Sequence, residues 1–345
     1  MFGYLRFILA FLVLLSHVDV RFYGLNPGVM AVVIFYMLAG YVVSHLWVDI
    51  LCQGQGKLYS FYKDRMLRVL PLYAYVAFLT LAFLAMTNYS NPQFSLIKLI
   101  GNFLVIPVNY YMVVDTTILT NPDWCLIPPA WSLGAELQAY LVLPFALGRN
   151  KLKIFLAAAS FSVYMMANLS VIQPDYFGYR LVFGVFFIFL AGSSLQNSRN
   201  QTVSASKFDT FYPWLLWVGI VCLCLIFHYK NLFSPAYTKE TFIGILTGIP
   251  IIYCLSRLER KGSPIKLPGN SLLGSLSYGV FLSHFLMIWC LDYTGLIDKN
   301  AGAYIPAIII GATLIAWSGV KFIETGIDKI RKDVTVHSLG LKIER

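Results

Sequence analysis

The sequence predicts an all-α membrane protein of about ten transmembrane helices, with one re-entrant or interfacial segment near 94–113. Three observations carry that expectation. Of the 345 residues, 58% are hydrophobic and 12% charged, where a soluble domain carries about 25% charged residues. Apolar runs of the length a bilayer requires, about 20 residues, recur along the whole chain. The basic residues gather in alternate loops between those runs, the pattern of positive-inside bias.

The runs fall near 3–20, 28–48, 67–86, 129–147, 152–170, 179–195, 212–229, 240–256, 271–292 and 303–323. The first resembles a signal peptide, with Arg6 ahead of an apolar stretch. No small-x-small cleavage site follows, and His17 and Asp19 interrupt its end, so it reads as a retained helix. Asn26-Pro27, Asn91-Pro92 and Gly262-Ser263-Pro264 mark turns between runs. The stretch 94–113 is long enough to span, but it carries Lys98, Asn102, Pro107 and Asn109. Charge decides its placement. With a cytoplasmic N-terminus and ten spans, the inner side collects Lys57, Lys63, Arg65 and Arg68, then Arg149, Lys151 and Lys153. Arg199, Lys207, Arg257, Arg260, Lys261 and Lys266 follow, and the end of the chain adds Lys329, Arg331, Lys332, Lys342 and Arg345. The outer side keeps Arg21, Lys98, Arg180, Lys230, Lys239 and Lys299. An additional span at 94–113 would invert every later cluster, so this stretch is expected to stay outside, within a long loop of about 87–128. A single transmembrane domain over 1–325 is expected, followed by a basic cytoplasmic tail at 326–345.

The net charge of +10 does not indicate a nucleic-acid partner, because the charges sit in short loops between spans and no nucleic-acid-binding motif accompanies them. Cys52, Cys125, Cys222, Cys224, Cys254 and Cys290 form no CxxC pair. Cys224 and His228 are four apart, but no second ligand pair completes a metal site. Neither a metal nor a disulfide is expected.

Ionisable residues inside the spans point to chemistry. Arg6 and His17 stand 11 residues apart, about three helical turns and about 16 Å along one face. His17 is expected about 10 Å below the outer boundary, where it can act as a general base. Glu136 follows Pro128-Pro129 in a helix that starts from the outer side, at about the same depth. A carboxylate beside an imidazole would orient it; a structural partner such as Trp131, Ser132 or Gln138 is the alternative. Arg65 and Arg68, with Lys63 nearby, share a helix face at the inner mouth of the third span. Such a pair can hold phosphates bidentately, and it is also what positive-inside bias produces. His284 is either a further site residue or a packing residue bonded to Ser277, Tyr278 or Ser283. Glu324 near Lys321 reads as a local ion pair or a fold anchor, and Arg180, which opens the sixth span from the outer side, as an interfacial side chain in preference to a contact for an anionic acceptor.

Taken together and in order, these segments resemble the acyltransferase-3 family of integral membrane acyltransferases. Arg6 and His17 are similar to its Arg-x10-His motif, and Phe35-Tyr-Met-Leu-Ala-Gly-Tyr41 to its FFxLSG(F/Y) helix, with Ala39 in place of Ser. Arg65-Met-Leu-Arg68 with Pro71-Leu-Tyr73 is similar to RxxRxxPLY. Pro129-Ala-Trp-Ser-Leu133 with Glu136 and Tyr140 is similar to PxWSLxxExxFY, where many members have two adjacent acidic residues and this chain has Glu136 alone. Ser277-Tyr278 with His284 is similar to SYxxYLxH, and Phe322-Ile-Glu324 to FxE.

The resemblance implies acyl transfer from cytoplasmic acyl-CoA, acetyl-CoA above all, to a hydroxyl of an extracytoplasmic or lipid-linked glycan at the bacterial inner membrane, both termini being cytoplasmic. His17 would be the base or acyl acceptor and Glu136 its partner. Arg6, Arg65, Arg68 and Lys63 would meet the CoA phosphates. Trp131, Ser132 and His284 would line the acceptor site. Two other readings use the same cavity: a glycan or lipid exporter, and an acyl relay serving a separate periplasmic transferase or glycan-synthesis machinery.

Overall fold

A computed structural model of the chain describes residues 1–51, 56–199, 206–258 and 267–338. Cys52, Arg260, Lys261, Lys266, Lys342 and Arg345, all invoked above, lie outside the described residues. Helices dominate: α1 (Phe2–His17), α2 (Pro27–His45), α3 (Lys57–Thr87), α4 (Leu96–Leu104), α5 (Ile106–Asn109), α6 (Ala130–Ala146) and α7 (Asn150–Asn168) come first. After them run α8 (Val182–Arg199), α9 (Lys207–Tyr229), α10 (Thr238–Leu258), α11 (Asn270–Thr294), α12 (Tyr304–Gly319) and α13 (Thr325–Ser338). The sheet content among the described residues is one antiparallel pair, β1 (Leu119–Thr120) with β2 (Asp123–Trp124).

Every expected span corresponds to a helix, but the count of about ten is not reproduced as membrane crossings. Seven helices among the described residues are long and apolar enough to cross a membrane. Three fall short for physical reasons. α1 has 16 residues and α6 has 17, about 24–26 Å of helix against a core of about 30 Å. α7 has 19 residues but begins with Asn150, Lys151 and Lys153 and ends at Asn168.

The stretch 94–113 holds two short helices, α4 and α5, that meet at Val105, a buried residue with φ +65°. The nine residues of α4 reach about 14 Å, too little to cross. Asn102 pins this loop: its Nδ2 donates to the Lys98 and Thr116 carbonyls, and its Oδ1 accepts from Leu126 N–H, all at 2.8 Å. Residues 326–338 of the expected tail lie in α13, which packs along α3.

The central helices are α1, α2, α8 and α11. α2 and α8 touch at Gly40 and Gly192, where an added Cβ would lie 1.9 Å from the Phe189 carbonyl oxygen and 1.8 Å from that of Met37. Only glycine permits that approach, which lets two apolar helices pack by van der Waals contact. α1 and α11 run parallel. Gly3 N–H donates to Asn270 Oδ1 at 3.0 Å at one end, and His17 meets His284 at the other. Beneath α7 and α9, Lys153 is buried against both carboxylate oxygens of Asp209, at 2.8 and 2.9 Å, and Ser194 and Ser206 bond the same carboxylate.

Candidate functional site

Two cavities enter the bundle from opposite ends. The first, about 300 Å³, lies at the face where α1, α3 and α11 begin, and is lined by Arg6, Arg65, Arg68 and Arg331 with Glu136 as its acidic member. The second, about 790 Å³, lies at the opposite face and holds His17 among Trp124, Trp131, Trp289, Tyr89 and Tyr111. They are called here the basic and the aromatic cavity. Val32, Ser132 and Phe281 line both, so the cavities meet at a waist of three side chains. Phe281 stacks edge-on against Phe35 at 6.1 Å on the basic side of that waist.

The arginines of the basic cavity differ in their partners. Arg65 is buried and its Nε donates to Asp64 Oδ2 at 2.9 Å, while Asp64 Oδ1 accepts from Arg331 Nε at 3.1 Å. Arg68 Nη1 donates to Glu324 Oε1 at 2.9 Å, so Glu324 pairs with Arg68 rather than with its neighbour Lys321. A π-helical turn, Val320–Glu324, delivers that carboxylate; such turns often re-aim a functional side chain. Arg6 has no hydrogen-bond or ion-pair partner among the described residues. Three of the four guanidinium groups are thus offset by Asp64, Asp328 and Glu324, and Glu136 faces the same cavity, so Arg6 is the one left without a hydrogen-bonded carboxylate among the described residues. Lys63 does not line it: the residue is exposed, with its ammonium 5.7 Å from the Tyr59 ring.

Glu136 and His17 stand apart. Glu136, Ser132 and Tyr140 occupy one face of α6 at four-residue spacing, and Tyr140 Oη donates to Glu136 Oε1. Ser132 reaches the waist, whereas Glu136, one turn further along, faces the basic cavity. No hydrogen bond or ion pair joins His17 and Glu136 among the described residues. The expected juxtaposition therefore differs from the observed one: on a single face of α6, Ser132 lines both cavities while Glu136, one turn further in, lines the basic cavity with Arg6, deeper than its expected level beside His17.

His17 is instead paired with His284, whose Nε2 lies 3.1 Å from His17 Nδ1 and whose Nδ1 lies 3.2 Å from the Val280 carbonyl oxygen. The rings stack with centroids 5.1 Å apart, and Phe285 packs edge-on against His17 at 4.8 Å. His284 is fully buried and bonds to His17, not to Ser277, Tyr278 or Ser283.

Trp131 lies under the Arg180 guanidinium at 4.5 Å, and Arg180 Nε donates to Asp175 Oδ1 at 2.8 Å. Arg180 ends a second π-helical turn, Tyr176–Arg180, and lines the aromatic cavity instead of reaching away along the interface. Asn109 fastens this wall, donating to the Trp131 and Arg180 carbonyls at 2.9 and 3.0 Å. Asp292 accepts from Tyr89, Lys299 and Tyr304 at the cavity rim. Burial first, then the Asp292 carboxylate, push the Tyr89 phenol up to about 12, so at neutral pH it is an uncharged hydroxyl.

Sequence reasoning did not select Arg331, Tyr36 or Asp292 as site residues. Arg331 carried a readable signal in its i,i+3 pairing with Asp328. Tyr36 carried a faint one, standing where the FFxLSG(F/Y) motif has its second Phe, although an aromatic residue in an apolar run reads as core.

Comparison with known proteins agrees with this architecture. A family model described as an acyltransferase domain matches residues 2–320. A relative described as "Uncharacterized protein" from Aquifex aeolicus (strain VF5) is 39% identical over 63% of this chain and 94% of its own length. "Protein 2 in picA locus" from Rhizobium radiobacter is 28% identical over 47% of this chain and 91% of its own. No solved structure matches. With a domain match across nearly the whole chain and a bundle of apolar helices around a two-ended passage, the protein belongs to the acyltransferase-3 family of membrane acyltransferases.

Proposed function

We propose that the protein moves an acyl group, acetyl above all, from cytoplasmic acyl-CoA to a hydroxyl of an extracytoplasmic or lipid-linked glycan. The observation that carries this reading is the pair of cavities meeting at Val32, Ser132 and Phe281. A guanidinium-lined chamber suits the phosphates of a donor. A wider aromatic chamber with scattered polar and charged groups suits a bulky glycan acceptor. The waist is where the acyl group would change hands.

In this reading Arg6, Arg65 and Arg68 bind the donor phosphates, with Arg6 contributing most because no protein carboxylate competes for it. Lys63 adds charge at the approach. Glu136, held by Tyr140, offsets the guanidinium charge instead of orienting His17. His17 is the base. A carbonyl oxygen accepts only, so the Val280 carbonyl favours a proton on His284 Nδ1. Neutral His284 then offers its Nε2 lone pair to His17 Nδ1–H, which leaves His17 Nε2 unprotonated and ready to accept. The acceptor oxygen bonds to the thioester carbon, the C–S bond breaks, and the hydroxyl proton passes through His17 Nε2 to the CoA thiolate. An acyl-His17 intermediate would use the same lone pair. Trp131 and Ser132 flank the acceptor.

The setting we propose is the bacterial cytoplasmic membrane, with the basic cavity facing the cytoplasm and both ends of the chain on that side. Support comes from the Gly3–Asn270 and Arg331–Asp64 contacts, which put the start of α1 and α13 at the face where α3 and α11 begin.

The test is reconstitution of the wild type and His17→Ala in proteoliposomes with labelled acetyl-CoA presented to the basic face. Release of CoA with label gained on a glycan extract, lost in His17→Ala, is expected. Transfer by His17→Ala at the wild-type rate would sink the role of His17. No turnover of any short acyl-CoA by folded protein would favour an exporter, or a relay that needs a separate transferase.

A further inference from the structure

Five hydroxyl side chains line the basic cavity: Tyr36, Ser132, Tyr140, Ser277 and Tyr278. Four donate to protein acceptors. Ser132 bonds the Pro129 carbonyl at 3.0 Å, Ser277 the Gly274 carbonyl at 2.8 Å, Tyr278 the Val69 carbonyl at 3.1 Å, and Tyr140 the Glu136 carboxylate. Tyr36 is 2% exposed, and its hydroxyl has no partner among the described residues.

That arrangement is costly unless something else bonds the hydroxyl. A buried hydroxyl without a partner has lost its bond to water with nothing in return, and phenylalanine would keep the packing of the Tyr36 ring on Phe189, 4.8 Å between centroids. The direction of the side chain says where a partner would stand. Side chains on a helix lean toward its N-terminus. α2 starts at Pro27, on the His17 side, where Gly28 touches Ser16. The phenol of Tyr36 thus leans toward Val32, one turn away, and so toward the waist.

We propose that the Tyr36 hydroxyl donates a hydrogen bond to the thioester carbonyl oxygen of the acyl donor, as a catalytic residue of the transfer. The inference rests on the acyl-CoA reading given above. Along a donor anchored by its phosphates at the arginines, the thioester is the group that must reach the waist, and the amides of the pantetheine arm trail behind it. When the acceptor oxygen attacks, negative charge gathers on the thioester oxygen. The C–O bond forms, the C–S bond breaks, the hydroxyl proton goes by way of His17 to the thiolate, and Tyr36 keeps its own proton throughout. A neutral donor fixed in a dry waist stabilises that oxyanion most when the charge has developed.

The test compares wild type with Tyr36→Phe, which removes one oxygen atom and nothing else, in full-length protein in proteoliposomes. Free CoA, which has no acyl carbonyl, is bound equally by both, and that equality reports an intact donor site. The expected kcat of Tyr36→Phe is lower by about 10²–10³, with KM for acetyl-CoA little changed. Wild-type transfer by Tyr36→Phe overturns the assignment. So does loss of CoA binding by the variant, which would make the hydroxyl structural. If the wild type itself releases no CoA, the acyltransfer reading fails, and the role of Tyr36 falls with it.

Discussion

His284 Nε2 lies 3.1 Å from His17 Nδ1 although 267 residues separate them in the chain. Parallel packing of α1 and α11 makes the contact, and Val280, one turn before His284 on its own helix, supplies the carbonyl that orients the second ring. In the reading proposed above, the pair would be a directional relay ending on the lone pair of His17.

The first prediction concerns that direction. His284→Leu removes the acceptor for His17 Nδ1–H and should lower transfer by about 10²-fold or more, as losing the orienting partner of a catalytic histidine does elsewhere. His284→Gln, whose carbonyl oxygen can accept the same proton, should retain a larger share. Rates of the two variants in proteoliposomes, at matched thermal stability, check this; equal rates would show that His284 only fills space.

Arg6→Gln should raise KM for acetyl-CoA about tenfold to a hundredfold with kcat little changed, because a charge-assisted hydrogen bond contributes about 1.5–3 kcal/mol. With an acyl-pantetheine donor, which has no phosphates, the same substitution should make no difference. An equal penalty for both donors would detach Arg6 from phosphate binding.

Lys153→Ala should destabilise the protein by about 3–5 kcal/mol, since it leaves Asp209 buried without its cation. Replacing both partners by apolar residues, Lys153→Met with Asp209→Leu, should recover most of the loss. Thermal unfolding in detergent measures both, and additive losses in the double variant would refute the pairing argument.

Asn102→Ala should loosen the segment between α3 and α6 while sparing the bundle. Each buried backbone group it leaves unpaired, the Thr116 carbonyl and the Leu126 N–H, costs about 1–3 kcal/mol. Limited proteolysis should cut that segment faster in the variant, with CoA binding at the other face unchanged. Unchanged cleavage would show that Asn102 does not hold the segment.

What the sequence made legible follows physical lines. Helix positions were readable because hydropathy varies over about 20 residues, and the non-spanning character of 94–113 was readable from charge balance. Arg6, Arg65, Arg68 and His17 stood out as charged or polar groups where such groups are costly. Crossing by α1, α6 and α7 is not confirmed: α1 ends at His17, short of its expected run to 20, α6 holds 17 residues, and α7 begins with Asn150, Lys151 and Lys153. Depth along an axis suggested His17 beside Glu136; Glu136 lies deeper than that estimate, one turn past Ser132 on the same face of α6 and among the arginines. Tyr36 and Arg331 carried only faint marks in the sequence, a Tyr at the second Phe of the motif and an i,i+3 partner in Asp328. One becomes unusual only when every neighbouring hydroxyl is seen to be occupied, and the other only when α13 folds back on α3.

The waist of Val32, Ser132 and Phe281 carries a last consequence, for energy conservation in the cell. A continuous aqueous pore joining two compartments would short-circuit the proton-motive force across the membrane. In the reading proposed above, Val32 and Phe281, with the Ser132 hydroxyl already bonded to its own helix, would narrow the way between the chambers to what a slender thioester needs. An acyl group would then change compartments while protons and ions stay where the cell has stored them.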